Sequence, residues 1–173
     1  KARPDQAIEL AGKWIAIGGG DAARHCQALA LIGMKNYGEG ASRLEELAQK
    51  SRADGPMRAA MLEQAGQAWL LEGEPQRASE ADTAALKLVS LGTADEAIIR
   101  IDRAAALAEM SRYKEAIADL DLALKIQPNN SDALAFRAAA HRHLGEFDLA
   151  FADADHGVKS DAKNVTALLE RAF

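Results

Sequence analysis

Residues 131–164, SDALAFRAAAHRHLGEFDLAFADADHGVKSDAKN, superimpose on residues 97–130, AIIRIDRAAALAEMSRYKEAIADLDLALKIQPNN, at an offset of 34. Arg103-Ala104 answers Arg137-Ala138, Tyr113 answers Phe147, Ala116 answers Ala150 and Asp119 answers Asp153. Two earlier copies begin at Asp21 and Ala59, so successive starts lie 38, 38 and 34 residues apart. The copy from Ala59 carries Gly66, Gly73, Ala78 and Ala85, while the one from Asp21 is more diverged, with Ala28, Tyr37, Gly40, Leu44 and Leu47. Self-similarity at such a period marks a stacked-repeat architecture, in which each unit buries its core against its neighbours.

Within a copy, Leu134, Ala138 and His141 fall at helical spacing, Gly145 interrupts, and Ala150, Ala154 and Gly157 resume it. Each copy therefore reads as a helix, a tight turn and a second helix. Small residues recur at Ala28, Gly66, Ala104 and Ala138 in the first helix and at Gly40, Ala78, Ala116 and Ala150 in the second. A large side chain there would push the two helices apart.

This pattern, with an aromatic just after the turn and Pro128 near the end of a copy, resembles the tetratricopeptide repeat. The resemblance covers nearly the whole chain. Residues 5–17 read like a second helix cut off from its partner, and Thr166-Ala-Leu-Leu-Glu-Arg-Ala repeats the logic of Asp132-Ala-Leu-Ala-Phe-Arg-Ala. It implies an all-α fold, a right-handed α-solenoid of stacked antiparallel helix-turn-helix units. A single domain would span 1–173, with a half repeat at 5–20, repeats at 21–58, 59–96, 97–130 and 131–164, and a partial repeat at 165–173. Pro75 stands where the aromatic belongs in the second copy, Lys35 replaces the turn glycine in the first, and only Pro128 keeps the closing proline. Each 38-residue step carries four additional residues, expected between repeats rather than within helices. Asp54-Gly55-Pro56 sets proline near a first helical position, and Gly92-Thr93-Ala94-Asp95-Glu96 pairs a stop glycine with a Thr-x-x-Glu capping box.

Net charge is −5, the pI is near 5.4, and the charge is evenly spread: residues 1–96 carry 11 basic and 14 acidic side chains, residues 97–173 carry 10 and 12. No clustered basic face for nucleic acid results. Apolar stretches are broken by charge or glycine well short of the roughly 20 residues of a membrane span. A chain that begins at Lys1 and ends inside a repeat reads as a piece excised from a longer protein. A removed leader would leave no trace, so the cytoplasm is favoured and export stays open.

Catalytic chemistry finds no foothold. His141 and His143 point about 200° apart around a helix and cannot converge on one metal, and His25 and His156 lie in other helices. By register His141 takes a packing position equivalent to Leu107 and Trp69. Cys26, the single cysteine, reads as a small buried hydrophobe. Asp119, Asp121, Asp153 and Asp155 recur with the repeat and belong to its scaffold. Gly18-Gly19-Gly20 has neither a preceding strand nor a following Lys-Ser/Thr, so it reads as a turn rather than a phosphate loop. No catalytic residue, metal or cofactor is expected.

Arg103 and Asp119 are 16 residues apart, as are Arg137 and Asp153; the same places hold Ala65 and Ala81 in the second copy and Gln27 and Arg43 in the first. Both partners are present or both absent, which predicts structural ion pairs between the two helices of the third and fourth repeats and none in the first and second. The family resemblance further implies that first helices line a groove for a peptide or helix of a partner. Carried over by register, the groove positions are His25, Leu29 and Ile32; Glu63, Gln67 and Leu70; Ile101, Ala105 and Ala108; and Ala135, Ala139 and Arg142. Its middle is small and apolar, with Glu63, Glu109, Arg142 and His143 at the edges. The lysines and asparagines of the clamp by which some relatives hold acidic chaperone tails are missing: His25, Leu29, Glu63, Gln67, Ile101 and Ala105 stand in their places. The reading is a non-catalytic protein-interaction scaffold. Its alternatives are a regulatory or substrate-docking segment of a larger enzyme and a self-association module joined weakly through terminal helices, whose uncovered residues would be Ile8, Trp14, Ile15, Leu168, Leu169 and Phe173.

Overall fold

The computed structural model describes residues 3–173, which form helices and connections and no strand. In chain order the helices are α1 (Pro4–Ala16), α2 (Gly20–Gly33), α3 (Tyr37–Lys50), α4 (Gly55–Glu72), α5 (Pro75–Leu86), α6 (Ala94–Glu109), α7 (Tyr113–Ile126), α8 (Ser131–His143), α9 (Phe147–Ser160) and α10 (Val165–Ala172). They gather into two compact units, α1–α5 up to Val89 and α6–α10 from Ser90. In the first unit each helix packs on the next. In the second, α6 packs on α7 and α8 on α9, α7 on α8, and α10 against both α8 and α9.

The helix pairs are set by their turns. The second helices begin at Tyr37, Pro75, Tyr113 and Phe147, which are register equivalents, and two residues before each start the backbone enters the left-handed region: Lys35 (φ 65), Gly73 (φ 86), Ser111 (φ 58) and Gly145 (φ 77). A Cβ is disfavoured there by roughly 1–2 kcal/mol, partly offset by the larger entropy that glycine loses on folding. Lys35→Gly and Ser111→Gly should therefore each stabilise the chain by about 0.5–1 kcal/mol, read from urea unfolding. Destabilisation by either would mean that the lysine or serine side chain holds the turn by contacts of its own.

The additional residues of the 38-residue steps do not all lie between repeats. Residues 51–54 form a connection as short as 127–130 and 161–164, and α4 instead runs to 18 residues against 13 for α8. Asp54 fixes that early start by accepting the Met57 N–H at 3.0 Å, with Pro56 pre-set for a first turn. In the second step the extra length is shared between α6, which has 16 residues, and the connection 87–93. Thr93 accepts the Glu96 N–H at 3.2 Å, but Glu96 reaches back to the Gly92 N–H at 2.6 Å, one residue before the cap. Asn130 and Asn164 cap α8 and α10 through the N–H groups of Ala133 and Ala167.

Close helix approach explains the small residues. Ala28, Ala104 and Ala138 on first helices and Ala78, Ala116 and Ala150 on second helices are buried. A Cβ on Gly40 would lie 2.6 Å from Ile32 Cγ1 and 3.0 Å from the Ala28 carbonyl oxygen, so α2 and α3 touch backbone to side chain. In the second repeat Gly66 makes room for Asp82, whose buried carboxylate would meet a Cβ there at 2.5 Å. Buried Trp69 of α4 ties three helices: its indole N–H donates to Glu45 on α3 at 2.9 Å, and the Arg77 guanidinium of α5 lies 3.3 Å from its ring centroid. In the second unit Leu107, Leu120, Leu124 and Leu134 build the core.

The terminal helices differ from expectation in detail. On α1 and just after it Leu10, Trp14 and Ile17 are exposed, whereas Ile8 and Ile15 are half-buried, because α1 turns that side toward α2. At the other end Leu168, Leu169 and Phe173 are exposed, as are Phe147 and Phe151 on α9.

Candidate functional site

Asp119 is the most deeply held charge of the second unit, its side chain 5% exposed. Arg103 clamps it with two bonds, Nε to Oδ2 at 2.7 Å and Nη2 to Oδ1 at 2.6 Å, and Arg100 adds a third at 2.9 Å. Arg100 also donates to Glu96 at 2.8 Å. Burial pushes the Glu96 carboxyl up, but the Gly92 N–H and Arg100 outweigh it and hold that carboxyl below its usual range. Its contribution to stability is therefore complete above the ordinary carboxylate pKa and fades as pH falls through the lowered one.

Arg137 clamps Asp153 in the same two-bonded way, both at 2.7 Å. It also donates to Asp121 of the preceding repeat at 2.6 Å, and Asp153 and Asp121 together raise its pKa further. Arg171 stands 3.8 Å from Asp155, 16 residues back, just as Arg137 stands to Asp121. Arg137 thus bridges aspartates 16 residues ahead and 16 behind. In the first repeat the register is not empty, because Arg43 donates to Gln27 at 2.6 Å, the polarity of the pair being reversed. In the second, Ala65 and Ala81 are buried apolar contacts.

Of the groove positions in the first unit, Leu29 is exposed, Ile32 packs over Gly40, His25 hydrogen-bonds Gln64 at 2.7 Å, Gln67 bonds Glu63 at 2.5 Å, and Leu70 is half-buried. In the second unit Ile101 belongs to the core, and Ala135 is fully buried against Val158 and Ala167. Neither offers surface to a ligand: Ile101 is taken up by the α6/α7 core, and α10 folds over Ala135. Arg142 is engaged by both oxygens of Glu170, at 2.7 and 3.1 Å, with the Phe173 ring 4.8 Å from its guanidinium carbon. That carboxylate holds the Arg142 pKa above its ordinary value.

Ala105, Ala108 and Ala139 do converge. With Ala140 they line a concavity of about 410 Å³ between α6 and α8. Phe136, Tyr113 and His143 wall it, and the last two rings stack with centroids 4.5 Å apart and planes 4° from parallel. Thr166 of α10, Ser111 and Glu109 complete the rim. Phe136, Tyr113 and Thr166 are not among the groove residues read from the sequence, which places Glu109 and His143 at its edges; the 34-residue echo of Tyr113 in Phe147 was the available signal.

No protein-family model matches the chain. A 58 kDa phosphoprotein of Plasmodium berghei is 36% identical over 75 residues, which is 43% of this chain and 18% of that protein, so the chain spans less than a fifth of this relative's length. Among solved structures, YrrB, described as a TPR protein with an unusual peptide-binding site, aligns over 98% of this chain and 84% of its own, with TM-score 0.77 and 14% identity. The second TPR domain of human RPAP3, solved in complex with the HSP70 peptide SGPTIEEVD, aligns over 68% of this chain and 95% of its own, with TM-score 0.60 and 26% identity. The chain has the tetratricopeptide-repeat fold.

Within this fold two further histidines make hydrogen bonds. His141 keeps its packing place yet bonds Glu146 at 2.6 Å across the intrarepeat turn, and His156 bonds Asn129 at 3.0 Å. Cys26 is exposed rather than buried, because it lies about 200° around α2 from the buried Ala28. Among the described residues no three His, Cys, Asp or Glu side chains are grouped to hold a metal ion, and no helix is long and apolar enough to cross a membrane.

Proposed function

We propose that this chain is a non-catalytic protein-interaction scaffold whose first helices receive a peptide or helix of a partner, with the concavity between α6 and α8 as the main contact surface. The observation that carries the reading is that Ala105, Ala108 and Ala139 form an open apolar floor under aromatic walls. Small side chains there admit an incoming side chain without rearrangement, and aromatic rings supply contact area at low entropic cost. The peptide complex of the RPAP3 domain supports the reading by likeness of fold.

Panning a peptide library against the chain and mapping a selected peptide by amide chemical shifts tests it. Shifts should concentrate at Ala105, Ala108 and Ala139. Ala139→Arg, which fills the floor from a half-exposed position, should weaken that peptide at least about tenfold with helicity unchanged. A peptide bound equally well by wild type and variant would move the site elsewhere.

A further inference from the structure

Resting on that reading, we infer that the concavity selects a basic apolar segment, with a lysine or arginine of the partner seated between Glu109 and the rings of Tyr113 and His143. Charge complementarity carries the inference. Glu109 is the one carboxylate on the rim, is exposed, and makes no ion pair or hydrogen bond among the described residues. Arg142, on the same helix as Ala139, is spent on both oxygens of Glu170, so an incoming carboxylate would find no free guanidinium there and would be repelled by Glu109. Aromatic faces beside a carboxylate suit a cation twice over, through the ring quadrupole and through the ion pair. The stacked Tyr113 and His143 rings present such a surface ready-made. The acid-ended sequence SGPTIEEVD, bound by the RPAP3 domain, has the opposite charge from the one this face invites.

Three short amidated peptides of leucine and phenylalanine, differing only in carrying lysine, glutamine or glutamate at their polar positions, are titrated against the whole chain by fluorescence anisotropy. The lysine peptide should bind most tightly and the glutamate peptide least. Glu109→Gln should cut the affinity for the lysine peptide about twofold to fivefold and leave the glutamine peptide unchanged. Tyr113→Leu, which keeps an apolar side chain but removes the ring, should weaken the lysine peptide more than the glutamine one. Equal binding of all three peptides, weakened by Ala139→Arg but untouched by Glu109→Gln, would overturn the charge assignment and leave the scaffold reading standing. Binding indifferent to Ala139→Arg, or no binding by any of the three, would overturn both.

Discussion

Asp119→Ala should destabilise the second unit by about 3–5 kcal/mol, the cost of removing one partner from a buried ion pair. For a unit of this size that lowers the melting temperature on the order of 20 °C. The loss is large because two guanidiniums, Arg103 and Arg100, would be left facing each other at the α6/α7 seam without their shared anion. Asp153→Ala should cost clearly less: its side chain is 13% exposed, and Arg137 keeps Asp121. A double-mutant cycle between Arg103 and Asp119, followed by circular dichroism in urea, isolates the pair. Coupling near zero, or a loss within the roughly 0–1 kcal/mol of exposed pairs, would return the whole ladder to the solvated surface.

Trp69→Ala should have an effect of similar size in the first unit, about 3–5 kcal/mol, since an aromatic side chain this large leaves a cavity that neighbouring helices fill only in part. Its loss also strips Glu45 of the indole N–H and Arg77 of the ring on which it rests. Trp69→Phe separates these contributions: most of the packing stays, and the missing hydrogen bond alone should cost about 1 kcal/mol. Hydrogen exchange would locate the damage, with amides of α3, α4 and α5 losing protection while those of α6–α9 keep theirs. Uniform loss of protection along the whole chain would show instead that the two units unfold as one.

Much of the molecule was legible because the repeat prints each structural requirement several times. Tyr37, Pro75, Tyr113 and Phe147 share one register, and all four begin a second helix. The offset of 16 between Arg103 and Asp119 recurs in Arg137 and Asp153, and the two-bonded clamp is found at both. The reverse offset, from Arg137 back to Asp121, was written in the chain as well, and only the packing of α7 on α8 shows which of two equally spaced aspartates is reached, and that both are. Ile101 and Ala135 are buried and Arg142 is paired with Glu170, which register alone does not indicate, for a related reason. Register says that a residue sits on a first helix, but whether it faces a ligand or the next helix depends on how closely that helix packs. At Ala135 and Arg142 the occupant is α10.

By itself, then, the sequence determined the helices, their pairing and the small residues along their seams, since these follow from local periodicity and from the volume that two touching helices allow. Tertiary structure alone decided the rest: the capture of Arg142 by Glu170, the burial of Ala135 and the free carboxylate of Glu109 beside two stacked rings. Each depends on distances between residues whose separation in the chain carries no periodic signal, and such distances are fixed only when whole helices pack.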